Sequence, residues 1–347
     1  MRDLLILGGG PTGLATSIMA AQAGLEVAVI EQREGIIDKA CGEGLMPAAV
    51  EELKSLGVEP ARSHPFKGIR YIEGGSHAEG VFPQGPGLGV RRTALHEALS
   101  ARAAGLGVER IQGRAGELSQ GDRWVQAGGE KARYLVAADG LYSPTRRKLG
   151  LELPSLRPQR LGLRRHYRQK PWSPFVEVYW SRGAEAYVTP VADDQVGVAI
   201  LYYKGGALEK KPKSRYEALL GLFPELRERL QGEPCTALKG SGPFERRTSS
   251  RIAGRVLLAG DAAGYLDPIT GEGIRLGLDA GRAAVESIVE DRPDLYDRRW
   301  RTLSRRYWWM TDGLLRLRRL PPARRLMIPF LRACPWAFNR IIGALAA

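Results

Sequence analysis

The stretch Leu4-Leu5-Ile6-Leu7-Gly8-Gly9-Gly10-Pro11-Thr12-Gly13 decides the fold of this 347-residue chain. Its four leading apolar residues are typical of a short strand buried on both faces. The glycines Gly8, Gly10 and Gly13 have the spacing Gly-x-Gly-x-x-Gly. The first permits a tight bend, the second lets the backbone approach a diphosphate, and the third lets a helix pack close to the sheet.

The residues after this turn complete a βαβ unit. Gly13 to Ala23 predicts a helix of small and apolar residues, which Gly24 would end. Glu26 to Ile30 predicts a second strand, and Glu31 at its end, beside Gln32, supplies a carboxylate that can accept ribose hydroxyls. This context favours a dinucleotide site over a glycine-rich loop without a ligand. Because several dinucleotides use the same turn, the turn alone does not choose between FAD and NAD.

Further helices and strands follow from apolar periodicity. Helices are predicted over Pro47–Leu56, Arg92–Ala104, Arg215–Leu230 and Gly273–Glu290. Strands are predicted over Tyr134–Ala138, Phe175–Trp180, Gln195–Ile200 and Arg255–Ala259, with Lys204–Lys213 as a loop or edge. The middle runs alternate, as in an antiparallel sheet. We therefore expect an α/β fold, in which a Rossmann-like domain carries an inserted antiparallel sheet and a helical C-terminal tail.

The positive charge of the chain is concentrated in that tail. The formal net charge is +14, and from Arg298 to the end there are twelve arginines against the single acid Asp312. Aromatic and aliphatic residues are interleaved with these arginines, which suits an amphipathic helix on an anionic membrane better than a nucleic-acid-binding arm. The alternative is that the tail packs on the inserted sheet with its arginines pointing outward.

The three cysteines, Cys41, Cys235 and Cys334, lack the spacing of a disulfide framework or a zinc site. No metal site is expected. The first residues do not resemble a signal peptide, and no apolar run is long enough to span a bilayer. We expect a cytoplasmic protein, with peripheral attachment to a membrane as an open alternative.

Two later motifs distinguish between the dinucleotides. One is Ala138-Asp139-Gly140-Leu141-Tyr142-Ser143-Pro144-Thr145-Arg146-Arg147, and the other runs from Val256 through Gly260-Asp261 to Gly271-Glu272-Gly273-Ile274. With the first turn, they resemble in order and spacing the class A flavoprotein monooxygenase and geranylgeranyl reductase superfamily, over about residues 1 to 290. The resemblance implies FAD, an inserted substrate domain, and a flavin ring at the domain junction.

The resemblance also implies roles for individual residues. Asp139-Gly140 would steady the diphosphate side, and Asp261, after a buried strand, can accept a ribityl hydroxyl. The helix opened by Gly271-Glu272-Gly273 would point its N-terminus at the flavin pyrimidine. Arg92, in Val90-x-Arg92-x-x-Leu95, matches a helix-opening arginine that contacts the cofactor, although Arg91 is an alternative. The cofactor residues expected are Gly8, Gly10, Pro11, Thr12, Gly13, Glu31, Gln32, Cys41, Gly42, Arg92, Asp139, Gly140, Gly260, Asp261, Pro268, Gly271, Glu272, Gly273 and Ile274.

The resemblance divides the chain into interleaved segments. The FAD-binding domain is expected in three parts, the substrate domain in two, and the basic amphipathic helices last. The expected boundaries are 1–70, 91–150 and 246–292 for FAD binding, 71–90 and 151–245 for the substrate domain, and 293–347 for the C-terminal helices.

Two candidate catalytic residues come from the same resemblance. Lys39-Ala40-Cys41-Gly42-Glu43-Gly44-Leu45 resembles the cysteine-glycine motif of geranylgeranyl reductases, which lies over the isoalloxazine, and the Gly-Glu-Ser segment of phenolic halogenases with Gly44 in place of serine. The Cys41 thiol could donate a proton or shape the pocket, or be a small buried side chain. Tyr187, in Ala186-Tyr187-Val188-Thr189-Pro190, either lines the pocket or is a core strand residue. The missing tryptophans weaken a halogenase assignment, and the four histidines are interpreted as structural or surface residues.

Two enzyme activities remain open. The first is an NAD(P)H-dependent monooxygenase that hydroxylates an aromatic or polyketide-like hydrophobic substrate through a flavin hydroperoxide, with NAD(P)H as a transient electron donor. The second is a geranylgeranyl-reductase-like enzyme that saturates double bonds of a prenyl or lipid chain. A halogenase, and a flavin-binding protein that docks a membrane without turnover, rank lower. The partners expected are a hydrophobic small molecule and, through the tail, a membrane surface; no nucleic acid is expected.

Overall fold

The structure, a computed structural model, describes residues 1–206 and 214–346. Most of the loop or edge expected at Lys204–Lys213 therefore lies outside the described residues. The strands are β1 (Arg2–Leu7), β2 (Val27–Glu31), β3 (Gly44–Leu45), β4 (His64–Phe66), β5 (Gly68–Glu73), β6 (Ser76–Val81), β7 (Gly87–Gly89), β8 (Glu109–Gln112), β9 (Leu118–Gln120), β10 (Val125–Ala127), β11 (Glu130–Ala137), β12 (Glu152–Leu153), β13 (Arg160–Arg168), β14 (Val176–Ser181), β15 (Ala184–Ala192), β16 (Gln195–Tyr203), β17 (Glu233–Pro234), β18 (Lys239–Ser241), β19 (Arg247–Thr248), β20 (Ile252–Ala253) and β21 (Val256–Leu258). The helices are α1 (Pro11–Gln22), α2 (Pro47–Ser55), α3 (Arg92–Gly105), α4 (Pro144–Lys148), α5 (Arg215–Leu220), α6 (Pro224–Arg229), α7 (Gly273–Val289), α8 (Leu295–Arg319), α9 (Pro321–Ala333) and α10 (Pro335–Ala346).

A parallel sheet forms the nucleotide-binding half of the molecule. Its strands run in the order β8-β2-β1-β11-β21, with β20 added antiparallel at one edge. The apolar run Leu4 to Leu7 in β1 is buried on both faces, as its composition predicts. Helix α1 packs against α3 and α7. The carboxyl ends of β1, β11 and β21 therefore lie side by side and bring the turn and both later motifs to one edge.

A second sheet is mostly antiparallel and is inserted into the first fold. Its order is β17-β13-β16-β15-β14-β5-β6, and only the β14–β5 pair within this path is parallel. Strands β5 and β6 precede α3 in the chain, whereas β13 to β16 follow α4, so the sheet is assembled from two insertions. The expected fold class, a Rossmann-like domain with an inserted antiparallel sheet and C-terminal helices, is confirmed.

The C-terminal helices cover the edge of this second sheet. Helix α8 packs on α7, while α9 and α10 pack on β6. A Cβ atom at Gly80 of β6 would lie 2.6 Å from Ile342 Cγ1, so the glycine lets α10 approach the strand closely. Leu315, Ile328 and Phe338 are at most 5% exposed in this contact. The inner face of the tail is thus part of the apolar core.

The helix predicted over Arg215–Leu230 is wrong in one respect. The structure divides it into α5 and α6, with Gly221 ending the first helix and Pro224 opening the second. Proline lacks an N–H group and disfavours helical backbone at the preceding residue. Phe223 accordingly has φ −126° and ψ 74°, outside the helical region.

Candidate FAD site

The glycine turn has the geometry that a bound diphosphate needs. Gly8 has φ +104°, and a Cβ atom at Gly13 would lie 1.9 Å from the Gly8 carbonyl oxygen. Both positions therefore require glycine for the protein itself. A Cβ atom at Gly10 would meet nothing closer than Arg92 Nη2 at 3.7 Å. Since Gly10 caps α1 without a side chain, and Pro11 is the first helical residue, the free amides of this N-terminus face that open space.

Glu31 lies directly beside the turn. It is buried at the end of β2, where Oε2 accepts a hydrogen bond from the Gly9 N–H at 2.8 Å and Oε1 accepts one from the Arg33 N–H at 2.9 Å. The carboxylate thus braces the turn while standing where ribose hydroxyls are expected. Gln32, the next residue, is exposed.

The Asp139-Gly140 motif leaves one polar atom free in the interior. Asp139 Oδ2 accepts from the Thr145 N–H at 3.1 Å and so caps α4, and Gly140 has φ +84°. Among the described residues, no group hydrogen-bonds to the buried Oδ1 atom of Asp139. A buried carboxylate oxygen of this kind ordinarily has a partner, which a bound ligand can provide.

Gly260-Asp261 lies against the first turn. Gly260 has φ +60°, and a Cβ atom there would lie 2.6 Å from Thr12 Oγ1, so the motif packs directly on α1. Burial raises the pKa of Asp261, and the nearby Lys39 and Arg92 lower it. The three motifs therefore converge, and Asp261 lies among cations at their meeting point.

Lys39 is a site residue that the sequence did not single out. Burial and the charges of Arg33 and Arg92 lower its pKa, while Asp261 and Glu31 raise it. Its Nζ would lie 3.5 Å from a Cβ atom at Gly140. Its only sequence signal is its place just before the cysteine-glycine motif. An ammonium group between the two aspartate motifs is suited to the diphosphate.

The N-terminus of α7 is aimed at the same cleft by a tight turn. Asp267 Oδ1 accepts from the Ile269 N–H at 3.1 Å and caps a short 3₁₀ turn that begins at Pro268. Gly271 has φ +73°, and Glu272 is the residue before the first helical position, Gly273. Ile274 follows within the first turn of this 17-residue helix, whose dipole stabilises negative charge.

Glu272 is an unusual member of this turn. Burial raises its pKa to about 7, although Arg306 and Arg275 oppose the shift. Its Oε2 atom is buried and has no hydrogen-bond partner among the residues described. The carboxyl group at the helix start therefore titrates near pH 7, instead of being fully ionised there.

The segment around Cys41 joins this cleft to the second sheet. The Thr189 hydroxyl on β15 donates to the Gly42 carbonyl oxygen at 2.8 Å, and the Glu43 N–H donates to Cys41 Sγ at 3.4 Å. Burial raises the pKa of the Cys41 thiol, and the Glu43 carboxylate raises it further, whereas Arg92, the hydrogen bond from the Glu43 N–H and Arg164 lower it. Cys41 therefore carries its proton at neutral pH and faces cations that favour the thiolate.

Tyr187 lies on the other side of the same junction. Its hydroxyl donates to the Ile269 carbonyl oxygen at 3.2 Å, which ties β15 to the turn before α7. Burial raises the pKa of Tyr187 well above its usual value. Tyr187 packs on a large apolar cluster formed mainly by the second sheet, the turn before α7 and the tail; its buried members are Met46, Phe66, Ile69, Tyr71, Ala78, Phe82, Val176, Val178, Trp180, Leu266, Ile269, Leu276, Tyr307, Leu315, Ile328, Leu331, Phe338, Ile342, Leu345 and Ala346.

The chemistry of these groups fits FAD. The uncapped amides of α1, with Lys39 and Arg92, can hold the diphosphate, and Glu31 can hold the adenosine ribose. Asp139 Oδ1 is an acceptor still without a donor, and Asp261 can accept from the ribityl chain. The N-terminus of α7 can then stabilise negative charge on the flavin ring. Each individual assignment stays a prediction, but the donors, acceptors and charges match the parts of this cofactor.

Comparisons with known proteins agree with this interpretation. The chain is 28% identical over 339 residues to the menaquinone reductase of Mycolicibacterium smegmatis, covering 88% of this chain and 81% of the relative. It is 31% identical over 322 residues to digeranylgeranylglycerophospholipid reductase 1 of Methanopyrus kandleri, covering 83% and 82%. A solved flavoprotein/dehydrogenase from Cytophaga hutchinsonii has the same fold, with a TM-score of 0.87 at 19% identity and coverage of 99% and 92%. The superfamily resemblance in the sequence is confirmed.

The family profile described as "FAD binding domain" matches residues 1–69 and 120–288, which is more than half of the chain and includes all three nucleotide motifs. The chain belongs to this family and is an FAD-dependent oxidoreductase.

Proposed function

We propose that this enzyme saturates carbon–carbon double bonds in the prenyl chain of a lipid-like substrate, with NAD(P)H as the electron donor. The observation that carries the proposal is the position of the Cys41 segment, which the Thr189–Gly42 hydrogen bond ties to the second sheet beside the FAD motifs, with a thiol whose pKa is raised by burial. The two reductases named above resemble this chain over more than four-fifths of its length. This similarity supports reduction over the hydroxylation that the sequence also allows.

Saturating a double bond requires a hydride on one carbon and a proton on the other. Bound FAD, once reduced, supplies the hydride. In the proposal, the Cys41 S–H bond breaks as its proton forms a new C–H bond, and the resulting thiolate later regains a proton from water. Arg92 and Arg164 lower the pKa of the thiol and so stabilise that thiolate. In the proposal, the hydrocarbon chain lies against the apolar cluster, whose side chains are buried from water.

The experiment is an anaerobic incubation of the FAD-loaded protein with NADPH and prenyl lipids in detergent, followed by mass spectrometry. We expect a gain of two hydrogens per saturated bond and, in deuterated water, at least one deuterium per bond, because the proton of the thiol exchanges with solvent. Cys41→Ser should retain FAD, as judged by its visible spectrum, and lose about a hundredfold in turnover. Product that appears only with oxygen and carries an added oxygen atom would instead establish the monooxygenase.

We further propose that the outer face of the tail rests on an anionic bilayer, from which the substrate enters. Trp309 is 77% exposed, Trp336 70% and Phe330 56%, although all three are aromatic. Exposed arginines, including Arg316 and Arg319, lie near them in the chain. Exposed aromatic residues among cations fit the interface of anionic lipids, because a membrane offers both an apolar and a negatively charged layer. No helix within residues 1–206 and 214–346 is long and apolar enough to cross a membrane.

Flotation with vesicles tests this face. We expect binding to vesicles of phosphatidylglycerol but weak binding to vesicles of phosphatidylcholine alone. Reversing Arg316 and Arg319 to Glu should reduce partitioning by at least about thirtyfold, since loss of each basic residue removes about 1 kcal/mol of attraction to an anionic surface. The exposed Arg227 of α6 provides a control, because Arg227→Glu should not change binding. Equal binding by the double variant and the wild type would disprove the proposal.

A further inference from the structure

Glu43 has a backbone conformation that glutamate rarely adopts. Its φ is +60°, in the left-handed region, and among the described non-glycine residues only Asp291 shares a positive φ. Asp291 is on the surface, whereas Glu43 is 3% exposed. A strained residue persists only where its surroundings determine its conformation, and such residues are concentrated at functional sites.

Each polar group of Glu43 has a hydrogen-bond partner in the surrounding structure. Oε1 accepts from the Arg92 N–H at 2.8 Å, and Oε2 lies 2.5 Å from His166 Nε2. The backbone carbonyl oxygen accepts from the Val90 N–H at 2.9 Å, and the backbone N–H donates to Cys41 Sγ. The residue thus connects the thiol to the start of α3 and to strand β13.

Buried residues of the second sheet and its neighbours hold the Glu43 carboxylate in place. His166 is fully buried, and its Nδ1 lies 3.2 Å from Arg164 Nη1 and 2.9 Å from Thr236 Oγ1. Arginine only donates, so Nδ1 is an acceptor and the Nε2–H of His166 donates to Glu43. Arg164 Nη2 is 3.7 Å from Glu43 Oε1 and is also paired with Asp38. His166 therefore lies beside Glu43 of the Cys41 segment, although no local motif marks it.

The neighbouring strand leaves room for this arrangement. A Cβ atom at Gly197 of β16 would lie 3.2 Å from Glu43 Oε2 and 3.4 Å from His166 Cδ2. Any larger residue there would press on the carboxylate–imidazole pair. The second sheet, the start of α3 and the Cys41 segment thus meet at the Glu43 carboxylate.

We propose that Glu43 is a positioning residue: its carboxylate, held by the Arg92 N–H and by His166, fixes the Cys41 thiol at the junction of the FAD motifs and the substrate sheet. The catalytic meaning of this position rests on the proposed reductase function, but the position itself does not. The charged and titratable groups that face Cys41 are Glu43, Arg92, Arg164 and Tyr265. Of these, Glu43 is the carboxylate that also hydrogen-bonds to the sulfur through its own backbone.

The test measures the alkylation of Cys41 by iodoacetamide against pH, in FAD-loaded protein in which Cys235 and Cys334 are serine. Cys41 is then the only thiol in the chain. Glu43→Gln preserves the shape but removes the charge, so the pH midpoint of alkylation should fall by about one unit. Glu43→Asp keeps the charge but is one methylene too short to reach both Arg92 and His166, so alkylation should be several-fold faster at every pH with the midpoint unchanged.

Thr189→Val is the matched control, because it releases Gly42 without altering any charge. It should raise the alkylation rate without moving the midpoint. A midpoint in Glu43→Gln equal to that of the wild type would overturn the proposal. If Glu43→Gln does not fold, a wild-type rate and midpoint in Glu43→Asp overturns it, and so does failure of both variants to fold by circular dichroism, which would make Glu43 a folding determinant. These readouts involve no prenyl substrate, so they stand even if the reductase assay fails.

Discussion

Two alanine substitutions in the glycine turn should separate folding from cofactor binding. At Gly13 the added Cβ would lie 1.9 Å from the Gly8 carbonyl oxygen, more than 1 Å inside the closest approach that real Cβ atoms show. Helix α1 or the turn must then shift, which costs about 2–3 kcal/mol. At Gly10 the backbone is extended, with φ −76° and ψ 177°, and the nearest atom is 3.7 Å away. Gly10→Ala should therefore leave the stability of the apoprotein within about 0.5 kcal/mol of wild type.

Gly10→Ala, which leaves folding intact, should instead weaken the binding of FAD. The methyl group at Gly10 occupies the space through which the diphosphate approaches the amides of α1, and losing about 1.5–3 kcal/mol there weakens FAD binding roughly ten- to a hundredfold. The measurements are urea unfolding of the apoprotein and titration of FAD fluorescence. Gly105→Ala is the control, since a Cβ there meets no atom within 4 Å. Wild-type FAD affinity in Gly10→Ala would refute the placement of the diphosphate, and wild-type stability in Gly13→Ala would refute the close contact.

Three further predictions follow from the same cleft. Glu272 has a pKa of about 7 against 4.5 for an ordinary glutamate, so the folded protein holds a proton that the unfolded chain releases, and apoprotein stability should fall by up to about 3 kcal/mol as pH rises from about 4.5 to 7; Glu272→Gln should flatten that slope in urea unfolding, and an unchanged slope would contradict the shift. Gly281→Ala should lower stability by about 1–3 kcal/mol, because the Cβ would lie 2.4 Å from Thr16 Oγ1, and adding Thr16→Ala should restore most of the loss; a double variant no more stable than the single one would argue against this contact. Asp261→Asn should weaken FAD binding about tenfold in the fluorescence titration without loss of apoprotein stability, and undiminished binding would remove Asp261 from the site.

The parts of the fold that sequence predicts are those fixed by neighbours in the chain. The βαβ turn depends on Gly8, Gly10 and Gly13, whose spacing is local, and the strands before Asp139 and Asp261 are continuous apolar runs. The helix break before Pro224 was also local, and apolar periodicity hid it because Leu219 to Leu226 keeps a helical spacing across the break. At this position the proline, and not the apolar period, determines where the helix ends.

The tail shows a limit of a different kind. Its composition left membrane contact and packing on the sheet as alternatives, because composition does not assign residues to faces. The structure buries Leu315, Ile328 and Phe338 against the sheet and leaves Trp309 and Trp336 exposed. One face of the tail therefore packs on the sheet, and the opposite face stays available for the membrane contact proposed above.

The pairing of Glu43 with His166 was beyond sequence reasoning because 123 residues separate the two side chains. A histidine on an alternating strand without metal-ligand spacing is ordinarily structural, and nothing local marks its partner. One local signal did exist: Glu43 lies between Gly42 and Gly44, and flanking glycines relax the backbone enough for a left-handed residue between them. If that conformation serves only the turn, Glu43→Gly should stabilise the protein by relieving it. If the carboxylate is what the strain maintains, Glu43→Gly should instead loosen Cys41 and lower stability, because it leaves the Arg92 N–H and His166 without their shared acceptor.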